Sequence, residues 1–595
     1  MNNNTKPKFS IVVIAKNEAK TLPRLVGSLK EFQTRGGEIV CLDTGSKDGT
    51  ADIARKLGCK VEEVGEKYIT TITKAQADAI NTQFIVEDEQ PILKEGDRLF
   101  DYASARNYAA TLASENFVAM PDCDEMFTKF NIDKINEAIE EGAGRLEYNF
   151  TFAHDSFGNE MIKFLHSKFY QRTAFEWRGV VHECLFPTLT PGPSKFIDET
   201  LLKLEHWQNH ETNRGNYLPG LALDCYQNPT NDRNSHYYAR ELMWCRRPKS
   251  AIKEFKRHIE MDKWPAEIGQ SMIYIGDCYK DLNNELEATH WWHAGFVKDG
   301  SRREALMHLA RHFWTKNSPQ HTAAYATAAL TISWNGFYSN NMAHYTFEPH
   351  EYLYWAKWYL GDKEGSKEHW LKALEYQPGN DKFLKDSCFY YSLPRVSIVI
   401  PTLGREDKLK NLLELITKNV NYTNYEVIVE PDSFDNRQGC PKTLKKGITN
   451  STGELVMFLG NDCEPQYNFL LSAVITLLRK WKDRIGLVGL NDGFWKNGEI
   501  ATHWLASKQL LPLIGGEFFH TGYNHVGCDS ELTARCKKLG RYAWDKYAQI
   551  KHVTYAQSQV AEEDDVAKLA WNAKSVAADR KLLEERAKEF KFELL

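Results

Sequence analysis

The chain has 595 residues, which is too long for one hydrophobic core and predicts three or four domains. Its formal net charge of −5 argues against a protein whose main task is to coat nucleic acid. The N-terminus has no apolar targeting segment, the longest apolar run (469–478) is about half a membrane span, and the 12 cysteines form no C-x-x-C pair. We therefore expect a cytoplasmic protein with reduced thiols, no transmembrane segment and no zinc site.

The first 63 residues alternate between apolar strand patterns and amphipathic helix patterns. The runs FSIVVIAKNE and EIVCLDTGSKDGT are rich in β-branched residues and end in polar ones. Alternating strands and helices predict a parallel sheet, in which ligands bind at the carboxyl ends of the strands. Asn17, Glu18 and Asp43 fall at these predicted strand ends.

A third predicted strand ends in a group of carboxylates, in the stretch VAMPDCDE (118–125). Its apolar half indicates a buried strand, and Asp122 and Asp124 follow where the strand surfaces. A charged turn is one interpretation. A divalent-cation site is the other, because Mg²⁺ and Mn²⁺ take a few carboxylate oxygens and share the phosphates of a substrate.

The middle of the chain, roughly 236–389, consists of helical patterns with many Trp, Tyr and His residues. Similar segments begin at Tyr237, Met272 and Ala305, with spacings of 35 and 33 residues, and a fourth begins at Tyr352. This period is typical of tetratricopeptide-type helix pairs, which stack into a continuous core. We predict an all-α repeat whose aromatic residues form its core and whose surface is available to a protein partner.

The first pattern returns after residue 394. The strand ends of RVSIVIPTLGRED, NYEVIVEPDSFDN and GELVMFLGNDCEP match the three earlier ones in the same order. The chain therefore contains two copies of one α/β architecture, and the predicted domains are 1–230, 231–391 and 392–595.

Both copies resemble family 2 glycosyltransferases of the GT-A fold, over residues 8–215 and 394–555, and the middle region resembles tetratricopeptide segments fused to such enzymes. The resemblance implies two GT-A domains that flank the helical repeats. It also implies inverting, metal-dependent transfer from a nucleotide-diphosphate sugar, a UDP-sugar in the first instance, to an acceptor hydroxyl. The implied cofactor is Mn²⁺ or Mg²⁺, and glycans, proteins and modified bases of phage DNA all remain possible acceptors.

In the first copy the resemblance implies a role for nine residues. Those assigned to the donor are Ala15, Asn17, Glu18, Asp43, Arg106 and Asp122. Those assigned to the metal are Asp124 and His206. The stretch EWRGVVHECL resembles the family's Arg-Gly-x-x-His-Glu segment, which places a catalytic base, Glu183, beside His182.

In the second copy the implied residues differ in detail. Those assigned to the donor are Pro401, Thr402, Asp432 and Asn461; those assigned to the metal are Asp462 and His552. Asp529 is the implied base. The metal motif reads Gly460-Asn461-Asp462, so that Asp462 alone carries the ligand role, and Cys528 stands where the family usually has an acid.

Three alternatives remain open on the sequence. In the first alternative, one transferase domain is active, the other is a degenerate copy, and the repeats serve as a partner-binding scaffold. In the second, the whole chain is a scaffold whose α/β units are relics. In the third, the α/β units are nucleotidyltransferases, although no Gly-rich G-x-G-T-R-like loop follows the first strand.

Overall fold

The structure is a computed structural model, which describes residues 5–154, 160–207, 217–336, 340–552, 565–570 and 572–592. The chain divides into two compact units, Met1–His369 and Trp370–Leu595. Both units contain a mixed α/β region, as predicted, and the first also contains helical repeats. Within the described ranges, no helix is both long enough and apolar enough to cross a membrane.

The strands of the first unit form one large mixed sheet and two small two-stranded sheets. They are β1 (Phe9–Ala15), β2 (Ile39–Asp43), β3 (Lys60–Glu63), β4 (Ile69–Thr71), β5 (Arg98–Phe100), β6 (Phe117–Ala119), β7 (Glu125–Phe130), β8 (Arg145–His154), β9 (Glu160–Gln171), β10 (Phe175–Arg178), β11 (Cys184–Pro187), β12 (Ser194–Phe196), β13 (Leu202–His206) and β14 (Asn340–Asn341). The large sheet has the order β3-β2-β1-β6-β9-β8-β13-β7, with β12 on β8 and β14 on β9. The two small sheets are β4-β5 and β10-β11. Strands β1, β2, β3 and β6 are parallel, so their carboxyl ends share one edge.

Short helices accompany these strands. They are α1 (Leu22–Ser28), α2 (Lys30–Thr34), α3 (Thr50–Lys56), α4 (Lys74–Phe84), α5 (Tyr102–Thr111) and α6 (Ile132–Glu140). Polar caps define where two of them begin: Thr73 forms a capping box with Gln76 at α4, and Asp101 accepts the Ser104 N–H at α5. The strand β1 is buried on both faces, which is why its sequence is continuously apolar rather than alternating.

The predicted helical repeats are present as four consecutive helix pairs. After α7 (Tyr217–Gln227), the pairs are α8 (Asp232–Trp244) with α9 (Pro248–Glu260), α10 (Pro265–Asp281) with α11 (Glu285–Lys298), α12 (Glu304–Thr315) with α13 (Pro319–Leu330), and, after the short α14 (Met342–Tyr345), α15 (Phe347–Tyr359) with α16 (Lys363–Tyr376). Each turn inside a pair has one residue with positive φ, two positions after the first helix ends: Arg246, Asn283, Asn317 and Gly361. This recurring turn and the helix spacing confirm the repeat prediction.

The second unit contains a seven-stranded sheet. Its elements are α17 (Asp381–Lys385), β15 (Val396–Thr402), α18 (Glu406–Asn419), β16 (Tyr425–Pro431), α19 (Cys440–Asn450), β17 (Leu455–Phe458), β18 (Cys463–Pro465), α20 (Phe469–Lys480), β19 (Leu487–Asn491), β20 (Trp504–Ser507), α21 (Cys528–Lys538), β21 (Tyr542–His552), α22 (Asp565–Ala570) and α23 (Ala573–Phe590), with 3-10 helices at Asp386–Phe389, Lys496–Gly498 and Lys508–Ile514.

The two sheets share seven strands in the same spatial order. The order β16-β15-β17-β20-β19-β21-β18 corresponds to β2-β1-β6-β9-β8-β13-β7. Each pair of neighbours is parallel or antiparallel in the same way in both units. The repeated sequence pattern therefore folds into the same strand arrangement twice, and residues of the two units can be compared position by position.

Candidate functional site

In the first unit, the carboxyl ends of β1, β2 and β6 carry the residues that the sequence singled out. Asp43 ends β2 opposite Ala15 and is only 2% exposed. Its Oδ1 accepts the N–H groups of Gly45 and Ser46 at 2.9 and 2.8 Å. Its buried Oδ2 has no hydrogen-bond partner among the described residues. Because a buried unsatisfied oxygen is costly, this atom is suited to accept a hydrogen bond from a ligand.

The loop after β1 is tied to the loop after β2. Asn17, whose φ is 59°, accepts the Lys47 N–H at 2.8 Å and donates its own N–H to Ser46 Oγ at 2.9 Å. Burial raises the pKa of Glu18, and the negative charge of Asp124 raises it further. The Glu18 carboxylate therefore belongs to the same acidic cluster as Asp124.

The predicted metal pair is assembled by two neighbouring strands. His206 ends β13 opposite Glu125 of β7, which brings His206 Nε2 to 2.9 Å from Asp124 Oδ2. His206 Nδ1 lies 3.0 Å from the Phe152 carbonyl, which can only accept, so Nδ1 carries a proton. Burial lowers the pKa of His206, but the hydrogen bond and charge of Asp124 outweigh burial and the pKa is raised.

This pair fits a divalent cation. A neutral His206 would point the Nε2 lone pair at a carboxylate oxygen, so a proton or a metal ion must lie between the two atoms. Adjacent ligands at the 2.0–2.1 Å distances of octahedral Mg²⁺ are about 3 Å apart, close to the observed separation. A carbonyl that fixes the other imidazole nitrogen is the usual support of a metal-binding histidine.

Arg106 and Lys168 neutralise the carboxylates next to this pair. The Arg106 guanidinium is 5% exposed and donates to Asp122 and to Glu183, each at 2.5 Å. Lys168 Nζ donates to Asp122 at 2.7 Å and to Glu125 at 2.5 Å. Asp122 therefore contacts two cations, and although burial raises its pKa, these two cations outweigh burial and lower it. Arg106 Nη1 is buried without a partner in the described residues and can donate to a ligand.

A buried carboxylate from the helical region holds the loop that carries Glu183. Asp224 on α7 accepts the Val180 N–H at 2.7 Å and the Val181 N–H at 3.2 Å. Gly179 precedes this turn with a φ of 104°, a conformation that favours glycine. Glu183 Oε1 accepts a hydrogen bond from Arg106, and no hydrogen bond to Oε2 occurs within the described ranges, so Oε2 could accept one from a ligand.

In the second unit, Asp462 and His552 occupy the positions of Asp124 and His206. His552 pairs with Cys463, the residue after Asp462, and its Nε2 lies 3.4 Å from Asp462 Oδ1. The buried Nδ1 of His552 has no partner in the described part of the chain, so its tautomer is not fixed.

Arg405 is the main difference in the second site. It follows β15 with a φ of 57° and donates to Asp462 Oδ2 at 2.7 Å. Burial raises the pKa of Asp462, but His552 and Arg405 outweigh it and the pKa is lowered. Arg405 stands three residues after Thr402, as Glu18 stands three residues after Ala15, so the second site has a cation where the first has an acid.

The residues that the sequence analysis assigned to a donor in the second copy also lie together. Asn461 Nδ2 donates to Thr402 Oγ1 at 2.9 Å, next to Pro401. The Asp432 N–H donates to the Thr402 carbonyl at 2.8 Å, just as Thr44 donates to Ala15 at 2.9 Å. Asp432 is therefore one position beyond the place that Asp43 has in the first unit, and its carboxylate accepts N–H groups of the following loop.

Asp529 lies in the first turn of α21, and burial raises its pKa. The loop before α21 is held by Asp579 of the C-terminal helix α23, which is 1% exposed. Asp579 accepts the N–H groups of Asn524 (2.8 Å), His525 (2.9 Å) and Val526 (2.9 Å). The C-terminal helix is thus a packed support of the loop that leads to Asp529.

Sequence reasoning missed several of these residues. Lys168 directly precedes the β9 residue that pairs with the last residue of β6. In the same way, His503 directly precedes the β20 residue that pairs with the last residue of β17. The Lys168–Glu125 ion pair of the first site corresponds to His503 and Cys463 in the second, with 3.0 Å between Nε2 and Sγ. Arg405 could have been found from the sequence, because it stands close to the end of a predicted strand. Lys168 had none, since it is a lone lysine in a strand.

At each site two side chains, a carboxylate and an imidazole, could hold a metal ion. Within the described residues, no group of three or more His, Cys, Asp or Glu side chains is arranged to hold a metal ion. A cation at either pair would complete its coordination with oxygens of the substrate and with water.

Comparison with known proteins agrees with the N-terminal interpretation. Residues 10–84 match the family model described as glycosyl transferase family 2. The 4,4'-diaponeurosporenoate glycosyltransferase of Staphylococcus haemolyticus (strain JCSC1435) is 36% identical over 86 residues, which are 14% of this chain and 23% of that protein. The chain therefore matches less than a quarter of the length of this curated relative. The prediction of a family 2 glycosyltransferase is confirmed for this segment, and glycosyltransferase is the enzyme class that it indicates.

Two solved structures were also similar over parts of the chain. The mannosyltransferase PcManGT from Pyrobaculum calidifontis, in complex with GDP-Man and Mn²⁺, has 15% identity and a TM-score of 0.23, covering 33% of this chain and 76% of that one. YrrB, a TPR protein with an unusual peptide-binding site, has 12% identity and a TM-score of 0.23, covering 29% of this chain and 81% of that one.

Proposed function

We propose that the chain is a metal-dependent inverting glycosyltransferase, with GT-A domains at 1–230 and 392–595 and tetratricopeptide-like repeats at 231–391. Its donor is a nucleotide-diphosphate sugar and its acceptor carries a hydroxyl. The observation that carries the proposal is the pairing of Asp124 with His206, repeated by Asp462 and His552 at the same positions of two sheets with the same strand order.

The first site supports the division of roles that this chemistry needs. Asp43 Oδ2 and Arg106 Nη1 are the free buried groups that would hold the donor. Bound Mn²⁺ or Mg²⁺ would supply positive charge for the departing nucleoside diphosphate. Glu183, held by Arg106 and by the loop that Asp224 fixes, takes the proton of the acceptor hydroxyl.

In the second domain, Asp529 takes the role of the base. Burial raises the pKa of Asp529, which makes it a stronger base once it is ionised. The Arg405 guanidinium on Asp462 weakens the attraction of that carboxylate for a metal ion. This contact favours the second candidate function, in which the C-terminal domain is a weaker or inactive copy that binds the acceptor.

A hydrolysis screen over UDP-, GDP- and TDP-sugars with Mn²⁺ or Mg²⁺ tests the proposal. Asp124→Asn should lower the metal-dependent hydrolysis by the N-terminal domain roughly 100-fold or more, because it removes a direct ligand. Asp52→Asn, at an exposed carboxylate of α3, is the control and should change nothing.

The separate variant Asp462→Asn distinguishes the two candidates. If both domains are active, each single variant leaves part of the total hydrolysis and the double variant leaves none. If Asp124→Asn alone abolishes hydrolysis, the C-terminal domain is the degenerate copy. A parent protein that hydrolyses no donor and gains no thermal stability from Mn²⁺ with UDP, GDP or TDP contradicts the proposal.

A further inference from the structure

A cluster of two arginines and one tyrosine lies on the first repeat helix, α8. The guanidinium carbon of Arg233 is 4.4 Å from the ring centroid of Tyr237, and that of Arg240 is 4.3 Å from it. Arg240 also covers the ring of Trp244 at 4.5 Å. Their spacing of four and three residues places all three on one face of the helix. We call Arg233, Tyr237 and Arg240 the α8 cluster.

The α8 cluster adjoins the loop of the predicted base. The ring of His182 lies 4.6 Å from the ring of Tyr237, and His182 Nε2 is 3.4 Å from Arg240 Nη2. His182 directly precedes Glu183. The cluster therefore contacts the residue next to the carboxylate that would deprotonate the acceptor.

The two arginines lack the carboxylate partners that Arg106 and Lys168 have. Arg233 Nε and Arg240 Nε are buried, and neither has a hydrogen-bond partner among the described residues. No salt bridge joins either guanidinium to a carboxylate of the described residues, whereas Arg106 and Lys168 each contact two. Buried N–H donors without partners are costly, so their retention indicates a ligand that supplies the acceptor atoms.

The surroundings of the cluster are electropositive. The pKa of His166 on β9 is lowered to about 3, first by burial and then by the charge of Lys168; Arg233 and Arg106 also lower it, while Asp122 raises it. Lys168 and Arg106 form ion pairs with carboxylates, whereas Arg233 forms none among the described residues and feels only the more distant charge of Glu267, which helps to raise its pKa. An anion placed here would meet positive charge that no ion pair of the described residues neutralises, in a partly desolvated setting where charge-assisted hydrogen bonds are strong.

We propose that the α8 cluster binds a phosphate or carboxylate group of the acceptor and so places the acceptor hydroxyl at Glu183. This inference rests on the proposed glycosyl transfer, because it assigns the neighbouring groups to the acceptor. Guanidinium groups present paired N–H donors to an oxyanion, and Tyr237 with Trp244 offers ring surfaces beside them. The acceptor is therefore an anionic molecule rather than a neutral glycan.

Calorimetry on the whole 595-residue chain tests this proposal. UDP and Mn²⁺ are present, so that the groups proposed to bind the donor are occupied. The probes are phenyl phosphate and benzoate, with phenol as the uncharged counterpart, at low ionic strength. We expect at least one anion to bind more tightly than phenol. The double variant, Arg233→Gln with Arg240→Gln, should weaken the affinity for that anion about tenfold or more. The control variant, Arg246→Gln with Lys256→Gln, removes the same charge from exposed positions and should bind as the parent does.

Three results would overturn the proposal: no preference of the parent protein for either anion over phenol, equal anion affinity in the α8 double variant, or an equal loss in the control variant. The phosphate and carboxylate arms identify which anion the site prefers. If the double variant does not fold, Arg240→Gln alone, at a half-buried residue, is measured against the same control and should still weaken binding severalfold. Binding is read without turnover, so a failure of donor hydrolysis is distinguishable from a failure of anion binding.

Discussion

Replacement of Arg106 by glutamine tests the buried charge network of the first site. Arg106 is 5% exposed and pairs with Asp122 and Glu183, whose side chain is only 10% exposed. In the variant, Asp122 keeps Lys168 at 2.7 Å, whereas Glu183 loses its cation. Breaking a buried pair by removing one partner costs about 3–5 kcal/mol, so we expect a loss of that size in the N-terminal domain.

The double variant, Arg106→Gln with Glu183→Gln, makes this expectation sharper. It leaves no unpaired charge from this pair, so it should be more stable than Arg106→Gln alone by about 1 kcal/mol or more. Arg178→Gln is the control, because Arg178 is an exposed arginine paired with Glu176 and should cost less than about 1 kcal/mol.

Native-state hydrogen exchange measures these effects where they occur. Peptides covering β6, β9 and α5 report on the first site, and peptides of the second unit serve as an internal reference in the same molecule. Exchange in Arg106→Gln that matches the Arg178→Gln control would refute the reasoning. A double variant less stable than Arg106→Gln would also refute it, because the cost would then not arise from an unpaired charge.

Two further predictions concern the helices that support each predicted base. Burial raises the pKa of Asp224 to about 6. Between about pH 4 and pH 6 the folded state therefore holds a proton that the unfolded state has released. The free energy of unfolding should fall by about 3 kcal/mol over this range and then level off. Asp224→Asn should lack this slope in thermal unfolding at different pH values, and equal slopes would contradict the pKa assignment. Asp579→Ala leaves several N–H donors of the loop before α21 without an acceptor, so it should cost about 2–4 kcal/mol and reduce C-terminal activity. Unchanged exchange in peptides covering 524–528 would contradict that role.

The strand ends and the repeat period were predictable because both are local patterns. A continuous apolar run followed by polar residues marks a buried parallel strand and its carboxyl end, which is how Asp43, Asp124 and Asp462 were found. The recurrence of similar helices near a spacing of 34 residues predicted the helix pairs in the same way. Both patterns need only a window of sequence and the periodicity of its backbone.

The partners of those residues were not predictable, because they come from distant parts of the chain. Arg106 from α5 and Lys168 from β9 converge on Asp122, and no periodic pattern links these three positions. The same holds for Asp224 and Asp579, which reach backbone groups of loops 43 and 53 or more residues away. Such buried polar contacts depend on how complete elements pack.

The sequence alone determined the α/β class of both units, the helical repeats between their sheets and the carboxylates at the strand ends. It also aligned Asp124 with Asp462, because strand register follows from the apolar pattern. Only the tertiary structure decided the charge of each site: Glu18 lies beside Asp124 in the first, and Arg405 neutralises Asp462 in the second. The reason is physical, since the charge at a carboxylate depends on every group folded next to it, whereas the position of the carboxylate in a strand depends on its neighbours in sequence.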